Sequence, residues 1–358
     1  MLVAVLVPSS SLAALGPGAL VGAGQAPSVA INSTGTAYVA WNGADQPPTK
    51  DQPVMLCVVG AGAPGCAAPR MILRDGFSAS AQPALVDAPA PGVVRVVSAR
   101  TNGPGDVELD SSNGGVTFSA PRTIASKFYF SGAFGPRGLV LVSGTFVDLH
   151  FQIGAPTAPA LGDAATLPLP AAGGSIAGWS GATPVIVAGT VRDGTFASSW
   201  SGRGNLNDAA TWMSGRVGGR SLRPALASGP RGLFLLQDQR INQTRLTVRR
   251  FVGGRFGPAR LVAKTIPAVG TALAQDSAGR LLAVWYVPIK GQLRAAASRD
   301  GGRHWSRPRT IAAHVPVPGR MSAALGPSGR GWLAYELNVG SQIHLVKLNA
   351  PALLRRRR

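Results

Sequence analysis

At 358 residues, 45% of them hydrophobic, the chain is long enough to bury one large β core or two ordinary ones. Two cysteines and four histidines leave little for metal chemistry, and 35 Lys+Arg against 15 Asp+Glu give a formal net charge of +20, mostly as arginine. That excess fits a polyanionic partner or the compositional bias of a GC-rich genome; the arginines stand singly, without interleaved aromatics, which argues against specific nucleic-acid binding.

The N-terminal stretch "MLVAVLVPSSSLAALG" has an apolar run, a Pro/Ser break and small residues at Ala13 and Ala14. It matches the back half of a secretory signal without the basic segment that precedes one, so residues 1–14 read as signal-peptide-like, the alternative being an apolar arm. No later apolar stretch is long enough to span a bilayer. In "CVVGAGAPGC", Cys57 and Cys66 flank a Gly/Pro turn and are expected to form a hairpin disulfide in an oxidising compartment, the alternative being two free buried thiols. Both features predict a secreted, extracellular protein.

Further along, one shape recurs: an apolar strand, a Gly-centred turn and a second apolar strand often ending in an aromatic. The copies are "PSVAINSTGTAYVAW", "PALVDAPAPGVVRVV", "RPALASGPRGLFLL", "VGTALAQDSAGRLLAVW" and "MSAALGPSGRGWLAY", with weaker ones, "SGAFGPRGLVLV" and "GSIAGWSGATPVIVA", in the middle gap. Their spacing is about 45–55 residues, the period of a four-stranded propeller blade. Short apolar runs bounded by Gly, Pro, Asn and Asp read as strands, with no sustained helical period.

Each unit continues with a third strand, a Gly-Gly hairpin and a fourth strand, as in "QLRAAASRDGGRHWSRPRTIA". The last unit lacks its fourth strand and runs into "APALLRRRR", whereas the segment 15–32 aligns with 256–275 and so begins with a fourth strand. The predicted fold is therefore an all-β propeller spanning residues 15–354, closed by the N-terminal strand pairing into the last blade, with a basic tail at 355–358. Seven blades are expected, or six if the two weak copies form one blade.

Ser298, Asp300, Gly302 and Trp305 form the pattern S-x-D-x-G-x-x-W, and Ser111, Asn113, Gly115 and Phe118 a weaker copy. On these residues and the blade repeat, the chain resembles the sialidase-like Asp-box (BNR-repeat) β-propeller superfamily. In a tight hairpin, short Ser and Asp side chains can accept from nearby backbone N–H groups. The terminal aromatic can pack between blades, so Asp300 reads as structural. The resemblance likewise implies boxes that are fold elements away from the catalytic face.

In an up-and-down blade the boxes mark the face of first-to-second and third-to-fourth turns. The expected ligand face is the opposite one, built from the loops at 42–53, 100–106, 237–243, 286–292 and 336–342 and the connections holding Lys264 and His314. Its ligand candidates are Arg240, Tyr286, Lys290, His314 and Glu336. Family enzymes would imply an arginine triad, a Tyr activated by Glu and an acid/base Asp. Here the glutamates are Glu108 and Glu336, and Tyr286 with Glu336 is the one plausible pairing. The first blade lacks the Arg-x-Pro signature of the enzymes.

Other motifs are weak. "GAGAPG" reads as a turn, since Pro64 stands in it and no helix follows. Asn32 and Asn242 open glycosylation sequons, and His150, His304, His314 and His344 have no metal-ligand companions. The expected protein is a monomeric, non-catalytic recognition or scaffold propeller without metal or cofactor, binding an extracellular glycan or protein ligand. The alternatives are a sialidase-type hydrolase and a polyanion or cell-envelope binder.

Overall fold

The computed structural model describes residues 16–45, 51–77, 83–100, 105–125, 129, 131–144, 149–154, 161, 164–167, 169, 175–189, 194–219, 221, 224–241, 243–265, 270–337 and 341–355. The signal-like segment and the last three arginines lie outside them. The described chain folds into seven four-stranded antiparallel blades. Blade 1 runs Gln25–Ile31, Ala37–Asn42, Val54–Val59 and Arg70–Leu73; blade 2 runs Leu85–Ala90, Val93–Arg100, Asp106–Ser111 and Arg122–Ala125. Blade 3 comprises Ser131–Gly135, Gly138–Gly144, Leu149–Gly154 and Ala165–Leu167, and blade 4 Ser175–Ser180, Thr183–Gly189, Thr195–Trp200 and Trp212–Gly218. Blade 5 comprises Ala225–Ala227, Phe234–Ile241, Gln243–Val252 and Arg260–Thr265. Blade 6 comprises Thr271–Gln275, Leu281–Val287, Gln292–Ser298 and Arg309–Ala312. The two weak middle copies are separate blades, 3 and 4.

Blade 7 takes Pro318–Leu325, Arg330–Leu337 and Gln342–Asn349 from the end of the chain and Ala19–Ala23 from the beginning, with Ala19 opposite Leu345 and Ala23 opposite Gln342. Val21 is buried there among Trp41, Trp332, Ile343 and Leu345. Around the closure, the Gly24 N–H donates to Ser341 O at 2.6 Å, the Trp41 indole to Ala23 O at 3.1 Å, and the Tyr335 hydroxyl to Pro17 O. Closure thus pairs a strand edge that would otherwise stand open.

The first strands neighbour one another around the ring, and the second strands lie within the blade stack. Ala37–Asn42 and Leu281–Val287 are buried at every position, because adjoining blades cover both sheet faces. Such strands read as continuous apolar runs. The fourth strands form the rim, where four residues of Trp212–Gly218 are exposed. After blade 7, Asn349 caps a short helix, Ala350–Leu354, and Ala350 and Leu353 sink into the core shared by blades 6 and 7. "APALL" is therefore a helix, a feature the strand pattern did not disclose. No helix among the described residues is long and apolar enough to cross a membrane.

Candidate functional site

The turn chemistry can be followed atom by atom on the box face. The Ser298 hydroxyl donates to Asp300 Oδ1 at 2.9 Å and accepts the Gly302 N–H at 2.9 Å, while Asp300 Oδ1 accepts the N–H groups of Arg303 at 3.0 Å and His304 at 2.9 Å. Burial alone would raise the Asp300 carboxyl, but the bonds from the His304 backbone and ring and from Ser298 outweigh it and hold it at about 2. Gly302 has φ +78°, and a Cβ there would come within 3.0 Å of Val248 on blade 5. Trp305 packs against the core between blades 5 and 6.

Blade 2 repeats the geometry. Ser111 Oγ accepts the Gly115 N–H at 2.8 Å, Asn113 Oδ1 accepts the Thr117 N–H at 2.9 Å, and Phe118 packs into the core between blades 1 and 2. Blade 1 is instead pinned at its third-to-fourth turn by a Cys57–Cys66 disulfide with Cα atoms 5.9 Å apart. A second kind of turn lock was not singled out in the sequence. Asn32 Oδ1 accepts the N–H groups of Thr34 and Thr36 at 3.1 and 3.0 Å, and Asp276 Oδ1 those of Ala278 and Arg280 at 3.0 and 2.8 Å. The matching signal is an Asx residue three positions before a turn glycine in "NSTG" and "DSAG". Asn32 is 5% exposed, so its sequon sits inside a closed turn.

On the opposite face, three of the ligand candidates come together. The Tyr286 hydroxyl donates to Val315 O at 3.0 Å, and the Val315 N–H donates to Gly291 O at 2.9 Å. The loop carrying Lys290 is thereby tied to the blade-to-blade connection carrying His314. Tyr286 is 2% exposed and burial raises its phenol, whereas Lys290 and His314 are exposed beside Ile289, which is 76% exposed. His314 itself has φ +56°, a left-handed conformation that costs a non-glycine residue about 1–2 kcal/mol. Lys264 is exposed at the rim of blade 5. The Arg240 side chain lies outside the described residues, as does most of the loop at 100–106.

Glu336 belongs to the next junction. Its carboxylate accepts the Ala26 N–H and, at 3.1 Å, the Arg320 N–H, joining blades 7 and 1. Ala26 and Ser341 beside it also have positive φ, +53° and +42°. All three left-handed non-glycine residues among those described thus lie on the loop face between blades 6 and 1. Tyr286 and Glu336, the one proposed Tyr/Glu pair, are each committed to backbone partners. Neighbouring Tyr335 turns inward, its ring stacked on His344 at 5.5 Å between centroids.

Asp106, at the loop-face end of blade 2, was not singled out in the sequence. It is 0% exposed, neither carboxyl oxygen has a hydrogen-bond partner among the described residues, and burial pushes its carboxyl up to about 8. Buried Tyr129 lies close enough for this carboxylate to raise its phenol further, beyond the larger effect of burial, and its hydroxyl donates to Val97 O at 2.9 Å. No cluster of three metal-ligating side chains occurs among the described residues.

No family model and no curated protein matches the chain. Among solved structures, it aligns with Kuenenia stuttgartiensis hydrazine synthase at a TM-score of 0.58 and 10% identity, covering 92% of this chain and 97% of that one. The polysaccharide lyase Uly1 aligns at 0.54 and 10% identity over 91% and 90% of the two chains. The Hadza microbial sialidase Hz136 aligns at 0.49 and 12% identity over 93% of this chain and 66% of that one. Identities this low speak to architecture alone, and the architecture that the hydrazine synthase and the lyase share with this chain is the β-propeller.

Proposed function

We propose that the protein is a secreted, non-catalytic recognition propeller. It binds a glycan or another extracellular ligand on the loop face, over Ile289, Lys290 and His314. The observation that carries this reading is the commitment of Tyr286 and Glu336 to backbone partners, which leaves the nearest analogue of a nucleophile–activator pair serving as struts. A nucleophilic phenol needs a neighbouring base to lower its pKa; here burial moves it the other way. What stays exposed is a cation, an imidazole and an apolar side chain on loops tied together by a backbone hydrogen bond, a composition suited to binding. The disulfide supports an oxidising, extracellular setting.

The test is a glycan-array screen of the purified chain and of Lys290→Glu, an exposed position whose reversal leaves the core untouched. The expected result is a defined glycan class bound by the wild type and lost in Lys290→Glu at unchanged thermal stability. Binding that survives the reversal contradicts the placement of the site, and silence of the wild type on the array contradicts a glycan ligand.

A further inference from the structure

Beyond that reading, we propose that the opposite, box-bearing face carries a second site, a groove on blade 6 that binds an anionic polysaccharide. The groove measures about 1030 Å³ and runs between the Asp300 turn and the C-terminal helix, lined by Arg299, Arg307, Arg309, Arg355 and Trp305 among others. That volume lies at the upper limit of small-molecule sites, roughly 300–1,000 Å³, and suits a segment of an oligomer.

Among the described residues its positive charge has no free carboxylate to balance it. Asp300 is the single carboxylate among the described residues of the lining, and its oxygens are taken by the Ser298 hydroxyl, the Arg303 and His304 amides and the His304 ring, which stands 2.5 Å away. Arg309 donates to Ala352 O at 3.3 Å and Arg355 O at 3.1 Å, bracing the wall. Arg299, Arg307 and Arg355 are exposed and have no carboxylate partner among the described residues. Neighbouring turns on this face add exposed Arg231, Arg255 and Arg330, while buried Asp276 is already paired with Arg280 at 2.5 Å.

The lining also selects the class of anion. Guanidinium forks engage sulfate and carboxylate groups bidentately. The Trp305 N–H is donated to Gly302 O at 3.2 Å, so the indole offers ring surface, on which one sugar can stack. A nucleic-acid strand calls for a row of aromatics, one per successive base, and this groove has one.

The experiment measures binding of the full chain to a heparin oligosaccharide, to an unsulfated polyuronate of equal length and to single-stranded DNA of equal charge, across a salt series. The variants are Arg299→Ala/Arg307→Ala in the groove and, as an equal loss of charge on blade 4, Arg203→Ala/Arg216→Ala. Expected is binding to one or both polysaccharides, weakened at least about tenfold by the groove pair and unchanged in the blade 4 pair. The logarithmic salt slope should shrink by roughly one per groove arginine removed. The relative affinity for the two polysaccharides tells sulfate from carboxylate recognition, and either preference supports the site. Equal weakening by both pairs, binding unaffected by the groove pair, no polysaccharide binding, or DNA bound as tightly as the polysaccharides would overturn the proposal. Thermal unfolding of each variant identifies any loss of binding caused by misfolding, and in that event a folded Arg299→Lys/Arg307→Lys pair decides: weakened binding, because an ammonium lacks the guanidinium fork, supports the groove, and wild-type affinity counts against it.

Discussion

Asp300 and Asp106 share the ordinary aspartate value of 3.8 when free in solution, and the fold drives them in opposite directions, the first down to about 2 and the second up to about 8. Asp300 is surrounded by donors, and Asp106 by none among the described residues, so burial acts on it unopposed. The folded chain therefore retains at Asp106 a proton that the unfolded chain releases above 3.8. The associated stability is whole below about 3.8 and is lost as pH rises through about 8. Within that window the loss runs at up to roughly 1.4 kcal/mol per pH unit. Asp106→Asn keeps the shape without the titration, so its melting temperature should exceed that of the wild type at pH 8 and the gap should narrow toward pH 4. A gap that does not change with pH in thermal unfolding would show that Asp106 does not titrate in this way. None of this was legible in "GDVELD", because a carboxylate beside a polar loop reads as exposed until the surrounding strands are in place.

At the scale of elements, the closing strand concentrates risk. Ala19–Ala23 contributes a single buried side chain, Val21, and its backbone ladder to blade 7. Val21→Asp places a charge among Trp41, Trp332 and Leu345 and is expected to cost about 2–4 kcal/mol. The loss should begin locally, with amides of Gln342–Asn349 losing hydrogen-exchange protection before those of blades 3 and 4; uniform loss across all blades contradicts a discrete closure. This strand was readable because its Gly/Pro lead-in repeats that of the fourth strand of blade 5. Blades 3 and 4 were harder to read for a physical reason. Their first strands carry glycines for close packing near the axis, where a Cβ on Gly135 would fall 2.3 Å from Trp179 and one on Gly132 2.6 Å from Leu85. Glycine then no longer marks only turns, and the repeat blurs. The C-terminal helix leaves no mark in the sequence pattern because five residues are too short to show a helical period.

Over the whole molecule, the two faces divide the chemistry. The loop face holds Glu336, Asp106 and all three left-handed non-glycine residues among those described, alongside the exposed Lys290 and His314. The box face of blades 5 to 7 carries exposed arginines over turns that consume their own carboxylates. The sequence showed the excess of arginine but not its sorting, because arginines from different blades share a face only once the ring has closed. It did pair Tyr286 with Glu336 as the test of catalysis, and their hydrogen bonds give each a structural task. The most direct test of the account is turnover of a fluorogenic sialoside by the purified, folded chain. The expected rate is no different from the protein-free blank. Turnover that is present in the wild type and abolished in Tyr286→Phe would contradict it and make the loop face an active site.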